Sequence, residues 1–172
     1  MEFLNPLPKT GTIAFAEICR QLKVTDVDQR GRILEFVRQN KARIRPTPDD
    51  EWMSDELVSY YLDSVIRTDR EVEMAYTPFE AAAALVSLFN WLLSHEPDGR
   101  QRAAKIAHRL ADLFRKSSPE IQNRIETGFL EHALETPIAR PIFAFWSQDP
   151  ILADSHSAAL AWGLAHSIEK VA

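Results

Sequence analysis

A chain of 172 residues with 45% hydrophobic and 26% charged residues, a net charge of −5 and only five glycines has the composition of a globular protein poor in tight hairpins. It is long enough to fold on its own core. The lone Cys19 excludes an internal disulfide, and the longest apolar run is too short and too interrupted for a transmembrane helix, so neither a disulfide scaffold nor a membrane role is expected.

Residues 1–11 hold two prolines and a glycine and read as an extended lead-in, with neither the charged leader nor the apolar stretch of a signal peptide. The expected location is therefore cytoplasmic. From Thr12, the apolar residues Phe15, Ile18, Cys19 and Leu22 follow helical spacing, with Glu17 and Arg20 opposite. Cys19 reads as a packing residue, because its neighbours are apolar and no basic group is placed to stabilise a thiolate. Thr25 with Asp28 opens a second helix running to about Ile44, and Ser54 caps a third whose buried face is Leu57, Val58, Tyr61, Leu62, Val65 and Ile66. Asp55, Glu56, Ser59, Asp63 and Arg67 fall on its wet side. The alternation at 71–74 is too short for a strand and reads as linker.

The stretch 77–95 is the expected central helix. Thr77 is a good N-cap, Pro78 suits the first helical position, and Glu80 completes a capping box. Glu80, Ala83, Ser87, Asn90 and Ser94 form a narrow strip, while Leu85, Val86, Leu88, Phe89, Trp91, Leu92 and Leu93 cover the rest, so neighbours should enclose it on most sides. Asp98 starts a fifth helix to about Lys116, with Ala103, Ile106, Ala107, Leu110, Leu113 and Phe114 inward and Arg102, Lys105, Arg109 and Lys116 in a basic stripe outside.

Ser118-Pro119, Thr136-Pro137 and Asp149-Pro150 repeat the cap-then-proline device, so the C-terminal third reads as short helices restarted after breaks. The first buries Ile121, Ile125, Phe129 and Ala133; the next carries Ile142, Phe143, Phe145 and Trp146. The last, from about Asp154 to Val171, is apolar nearly all round and is expected beside the central helix. The whole, 1–172, reads as one all-α domain: an irregular bundle or short helical-hairpin stack of about seven or eight helices around 77–95.

Chemistry is weakly signalled. A glycine-rich phosphate loop, a GxSxG elbow and HExxH are all missing, and His95, His108, His132, His156 and His166 never pair at helical spacing, so no cofactor or metal is expected. Whether this is an enzyme is left open, with the weight towards a non-catalytic role. The alternative function is a small cytoplasmic enzyme or ligand-binding helical protein with a site near His132, which helical spacing places between Ile121 and Ile125, just after Gly128. The plainer reading of His132 is a core imidazole.

Charge is distributed in blocks. Residues 20–45 carry eight Lys/Arg against three Asp/Glu, residues 49–80 two against ten, and residues 100–124 seven against two. Basic and acidic helices could neutralise one another, or the 49–80 face could present Asp55, Glu56, Ser59, Tyr60 and Asp63 to a basic protein partner, with Tyr60 as the anchor. The overall negative charge and the lack of a reading motif weigh against nucleic acid.

The segment Asn123-x-Ile125-x-x-Gly128-Phe129-Leu130-Glu131, followed by Trp146, Asp149-Pro150 and Trp162-Gly163, resembles small all-helical bacterial immunity proteins of secreted toxin systems. The resemblance implies a non-enzymatic cytoplasmic inhibitor that binds and occludes a cognate toxin. Oligomeric state and partner identity are not encoded in any motif.

Overall fold

A computed structural model describes residues 11–67, 77–94 and 98–167. The lead-in before Gly11 and the linker expected at 71–74 lie outside those residues. The fold is all-α, and the only strands among the described residues are β1 (Ile13–Ala14) and β2 (Ile44–Arg45), a short parallel pair with Ile13 opposite Ile44. The backbone gathers into two compact units, the described residues up to Tyr60 in the first and those from Tyr61 in the second.

In the first unit, α1 (Phe15–Val24) and α2 (Val27–Asn40) are followed by β2 and by α3 (Asp50–Val65), whose last turn and a half belongs to the second unit. The caps differ from those expected. Asp26, not Thr25, opens α2 by accepting the Gln29 amide at 2.8 Å, and Asp49 accepts the Trp52 amide at 2.6 Å, starting α3 before Ser54. A carboxylate near the exposed amides of a helix start has both charge and reach in its favour. Ser54 instead sits inside α3, donating to the Glu51 carbonyl at 3.0 Å. Ile18, Leu22, Ile33, Leu34, Val37, Ile44 and Val58 are buried, and Phe15 meets Trp52 edge to face at 4.7 Å. Cys19 is half-buried; burial, reinforced by the Glu56 carboxylate, pushes its thiol upward, which suits packing better than nucleophilic chemistry.

The second unit is organised around α4 (Pro78–Leu93). Its capping box is closed as expected: Thr77 Oγ1 accepts the Glu80 amide at 3.3 Å, and Glu80 accepts the Thr77 amide at 2.7 Å. Ala81, Ala82, Leu85, Phe89, Leu92 and Leu93 are buried, whereas Trp91 is exposed, so α4 is enclosed on fewer sides than its composition implied. Phe89, Phe129 and Phe143 contact one another with ring centroids 5.6 to 6.0 Å apart, and Trp146 joins through Phe143 and Phe114. Each such ring removed from water is worth roughly 1.5–3 kcal/mol.

Around α4 stand α5 (Asp98–Lys116), then α6 (Pro119–Ile125), a π-helical turn (Glu126–Leu130) and α7 (Glu131–Leu134) in unbroken succession; α8 (Arg140–Phe143) joins through the Phe89–Phe143 contact, and α9 (Ala153–Ala165), expected beside α4, packs chiefly against α7, the π turn and the segment around Trp146. Ala103, Ile106, Ala107, Leu110 and Phe114 of α5 are buried as their spacing requires, whereas Leu113, expected with them, is only half-buried and Ala111 is buried in addition. Close approach is built from glycine: a methyl group on Gly99 would strike the Leu92 carbonyl oxygen of α4. Arg115 fixes the turn before α9 by donating to Asp149 at 2.8 and 3.0 Å, which holds that carboxyl below its ordinary range. The helix itself ends at Ala165 rather than near Val171, and only His156, Ala159 and Gly163 of it are buried.

Candidate functional site

Two carboxylates of the acidic stretch on α3, one of them the expected site residue Glu56, lie beside cations. Lys41 donates to Asp50 at 2.7 Å, Arg30 lies 4.0 Å from Glu56, and Asp49 is occupied with its cap. Residues 11–60 carry eight Lys/Arg and nine Asp/Glu, so this stretch is close to neutral and its basic and acidic helices offset each other. Asp55 is exposed; Glu56, Ser59 and Asp63 are half-buried, and Asp63 belongs to the second unit. Tyr60 is 4% exposed, and a methyl group on Gly31 of α2 would fall 2.4 Å from its hydroxyl. The ring is a core element of the first unit, because α3 is buried on the Tyr60 side as well as along Val58. The five residues thus share a helix without forming one exposed patch.

His132 is displaced from the position its spacing implied. A straight α-helix would put it between Ile121 and Ile125, but the π turn at Glu126–Leu130 takes up about one extra residue, rotating everything after it by roughly 100°. His132 therefore faces solvent, its side chain 46% exposed, and its Nδ1 lies 2.8 Å from Glu135. The same shift brings Leu130 and Leu134 into the core beside Phe129 and Ala133, which are buried as expected. Gly128 sits at the middle of the π turn, where a methyl group would press on Ala82 and Phe79 of α4. No sequence period announces a π turn; a glycine amid a helical pattern was the one available hint.

Around this turn the second unit gathers ionisable groups. Glu131 is partly buried, within electrostatic reach of the Glu126 and Glu135 carboxylates and the His132 and His166 imidazoles. Burial first, then Glu126, raises its pKa above the ordinary 4.5, and the two imidazoles only partly offset this. His166 in turn stacks on Trp162 at 3.9 Å, with Nδ1 2.9 Å from the Trp162 carbonyl oxygen. Among the described residues, no group of three or more His, Cys, Asp or Glu is placed to hold a metal ion.

The surface missed by periodicity is the outside of α9. Ala158, Ala161, Trp162, Leu164 and Ala165 are all exposed, Trp162 to 41% and Leu164 to 56%. From Ser155 to Ser167 the chain has no Asp, Glu, Lys or Arg. A helix apolar on every side ordinarily reads as buried, yet among the described residues α9 packs chiefly along the face containing Ala159 and Gly163, against α7, the π turn and the segment around Trp146. All six exposed large apolar residues among those described, Phe79, Trp91, Ile138, Ile151, Trp162 and Leu164, belong to the second unit. The chain matches no protein family, no curated protein and no solved structure.

Proposed function

We propose that this chain is a non-catalytic protein-binding module, acting as an immunity-type inhibitor that occludes a cognate bacterial toxin in the cytoplasm. The observation that carries the reading is the uncharged outer face of α9, with Trp162 and Leu164 at the surface. Surface helices rarely leave such a strip in water, and aromatic side chains at the centre of an interface supply most of its lifetime. The resemblance in the C-terminal half points the same way. Its buried members Ile125, Gly128, Phe129 and Trp146 serve packing and leave Trp162 for a partner.

With Asp50 and Glu56 beside Lys41 and Arg30 and Tyr60 buried, we place the contact surface on α9 of the second unit rather than on 49–80, with Asp55 contributing at most to electrostatic steering. An outward-facing His132–Glu135 pair is an ordinary surface pair and adds little to a catalytic reading. The test is co-expression with the product of a neighbouring toxin-like gene. A stable 1:1 complex on size exclusion, together with protection of the cells, is the expected result. Neither complex nor protection would remove the inhibitor reading.

A further inference from the structure

Helix α5 gathers cations on the side turned away from the core. Its buried row of Ala103, Ile106, Ala107, Leu110 and Phe114 fixes the rotation of the helix, so Arg102, Lys105, Arg109 and Lys116 fall within about 60° of one another outside, along about 21 Å of its axis. Lys105, Arg109 and Lys116 are exposed and Arg102 is half-buried. The helix holds two carboxylates: Asp98 stands in its first turn, and Asp112 accepts from Arg115 at 2.8 Å while the other nitrogens of that guanidinium hold Asp149. Residues 98–116 carry six Lys/Arg against two Asp/Glu, whereas residues 61–97 and 117–172 together carry five against thirteen. Cations from Tyr61 onward are thus concentrated in one straight row within an otherwise acidic sequence.

We propose that the Arg102–Lys105–Arg109–Lys116 row of α5 docks a short acidic helical segment of a partner protein, with glutamate or aspartate recurring every third or fourth residue. The row lies on a different helix from the α9 strip and does not depend on the inhibitor reading. Its charge selects an anion, and its length of about four turns matches carboxylates repeated at helical spacing on a segment of about 14 residues. The acidic surroundings set the size of that anion: duplex nucleic acid would extend from the row over a unit whose remaining sequence repels it, while a short segment stays within the row. Nor does α5 offer bases a stacking platform. It has no Trp or Tyr, Phe114 is buried, and the His108 ring is already stacked on Phe145 with centroids 4.4 Å apart.

The experiment uses the full chain and two labelled helical peptides of about 14 residues on one alanine-rich frame, with either glutamate or glutamine at every fourth position. Fluorescence anisotropy at about 50 mM salt should show the glutamate peptide binding at least about tenfold tighter, an advantage that shrinks at about 200 mM. Lys105→Glu with Lys116→Glu should remove that binding, and the milder Lys105→Gln with Lys116→Gln should weaken it at least about threefold, both without change in melting temperature. Lys23→Glu with Arg32→Glu, exposed positions of the first unit, alters the total charge as much as the first of these pairs and should leave the affinity within about twofold of wild type. Equal affinity for the two peptides, no binding of the glutamate peptide, indifference to both α5 variants, or an equal loss in the first-unit variant would overturn the proposal. A duplex oligonucleotide that binds more tightly than the glutamate peptide would assign the row to nucleic acid and overturn it as well.

Discussion

A methyl group on Gly128 would lie 2.9 Å from the Ala82 side chain and 3.2 Å from the Phe79 ring, so the π turn rests on α4 with no room for a Cβ. Ala82 is buried and has no rotamer to change, which leaves backbone movement as the relief. Gly128→Ala should therefore cost about 1–3 kcal/mol, the usual penalty of overpacking, despite the helix propensity that alanine adds. Urea unfolding of the two proteins measures it. A midpoint equal to wild type would show that α4 and the π turn separate easily.

Gly163 is the stricter case. A methyl group there would meet the Leu134 carbonyl carbon at 2.6 Å and the Glu135 nitrogen at 2.9 Å, and the Leu134 oxygen is also held by Arg140 Nε at 3.0 Å. A contact with tethered backbone yields less than one with a side chain. Gly163→Ala is expected to destabilise more than Gly128→Ala in the same urea series. The opposite ranking would mean that α9 can lift off α7.

Local signals explain what the sequence made legible. The Thr77–Glu80 box and the inward row of α5 depend on residues a few positions apart, and both stand, Leu113 apart, as spacing requires. The places that departed depend on partners distant in sequence. Tyr60 is buried because Gly31 leaves a space for its ring, and His132 is exposed because the π turn resets the phase of its helix. Composition also misled at α9, where an apolar circumference suggested burial but neighbours cover one face. Because the candidate surface is made of that exception, periodicity alone pointed instead to the charges of α3.

Arg124 shows another interaction without a local signature. It is buried, donates to the Val65 carbonyl at 3.1 Å and the Arg67 carbonyl at 2.6 Å, and pairs with Glu120. Those carbonyls end α3, where intrahelical donors run out. Arg124→Met should cost about 1–3 kcal/mol by leaving acceptors unmatched, whereas Glu120→Gln should cost under about 1 kcal/mol because its carboxylate is well exposed. Comparable losses in thermal melts would show that the ion pair, rather than the carbonyl contacts, is what stabilises.

Among the described residues the buried Trp146 indole N–H has no hydrogen-bond partner, an unfavourable element inside the aromatic cluster. Trp146→Phe removes that donor while leaving a small cavity, and the two effects oppose each other. Phe89→Asp, by contrast, puts an unpaired carboxylate at a fully buried position. The expectation is a loss of under about 2 kcal/mol for Trp146→Phe and of more than about 4 kcal/mol for Phe89→Asp. Calorimetric melts decide it, and a Phe89→Asp protein melting within a degree or two of wild type would make α4 peripheral.

Two groups in the second unit should tilt its stability with pH in opposite directions. Glu131 has its pKa raised above 4.5 by burial and neighbouring carboxylates, so the folded chain holds this proton more tightly than the unfolded one. Its contribution is favourable below pH 4.5 and is lost as pH rises through the folded value. His156 is the reverse: burial lowers its pKa below 6.5, the unfolded chain takes up the proton first, and stability present above pH 6.5 declines as pH falls through that range. Glu131→Gln should therefore stabilise at pH 7 and lose that advantage by pH 4, while His156→Gln should flatten the decline below pH 6.5 whatever its effect at neutral pH. Urea midpoints taken at pH 4, 5.5, 7 and 8 separate the two. An unchanged pH profile in Glu131→Gln would mean that its carboxylate is as well solvated in the folded chain as in the unfolded one.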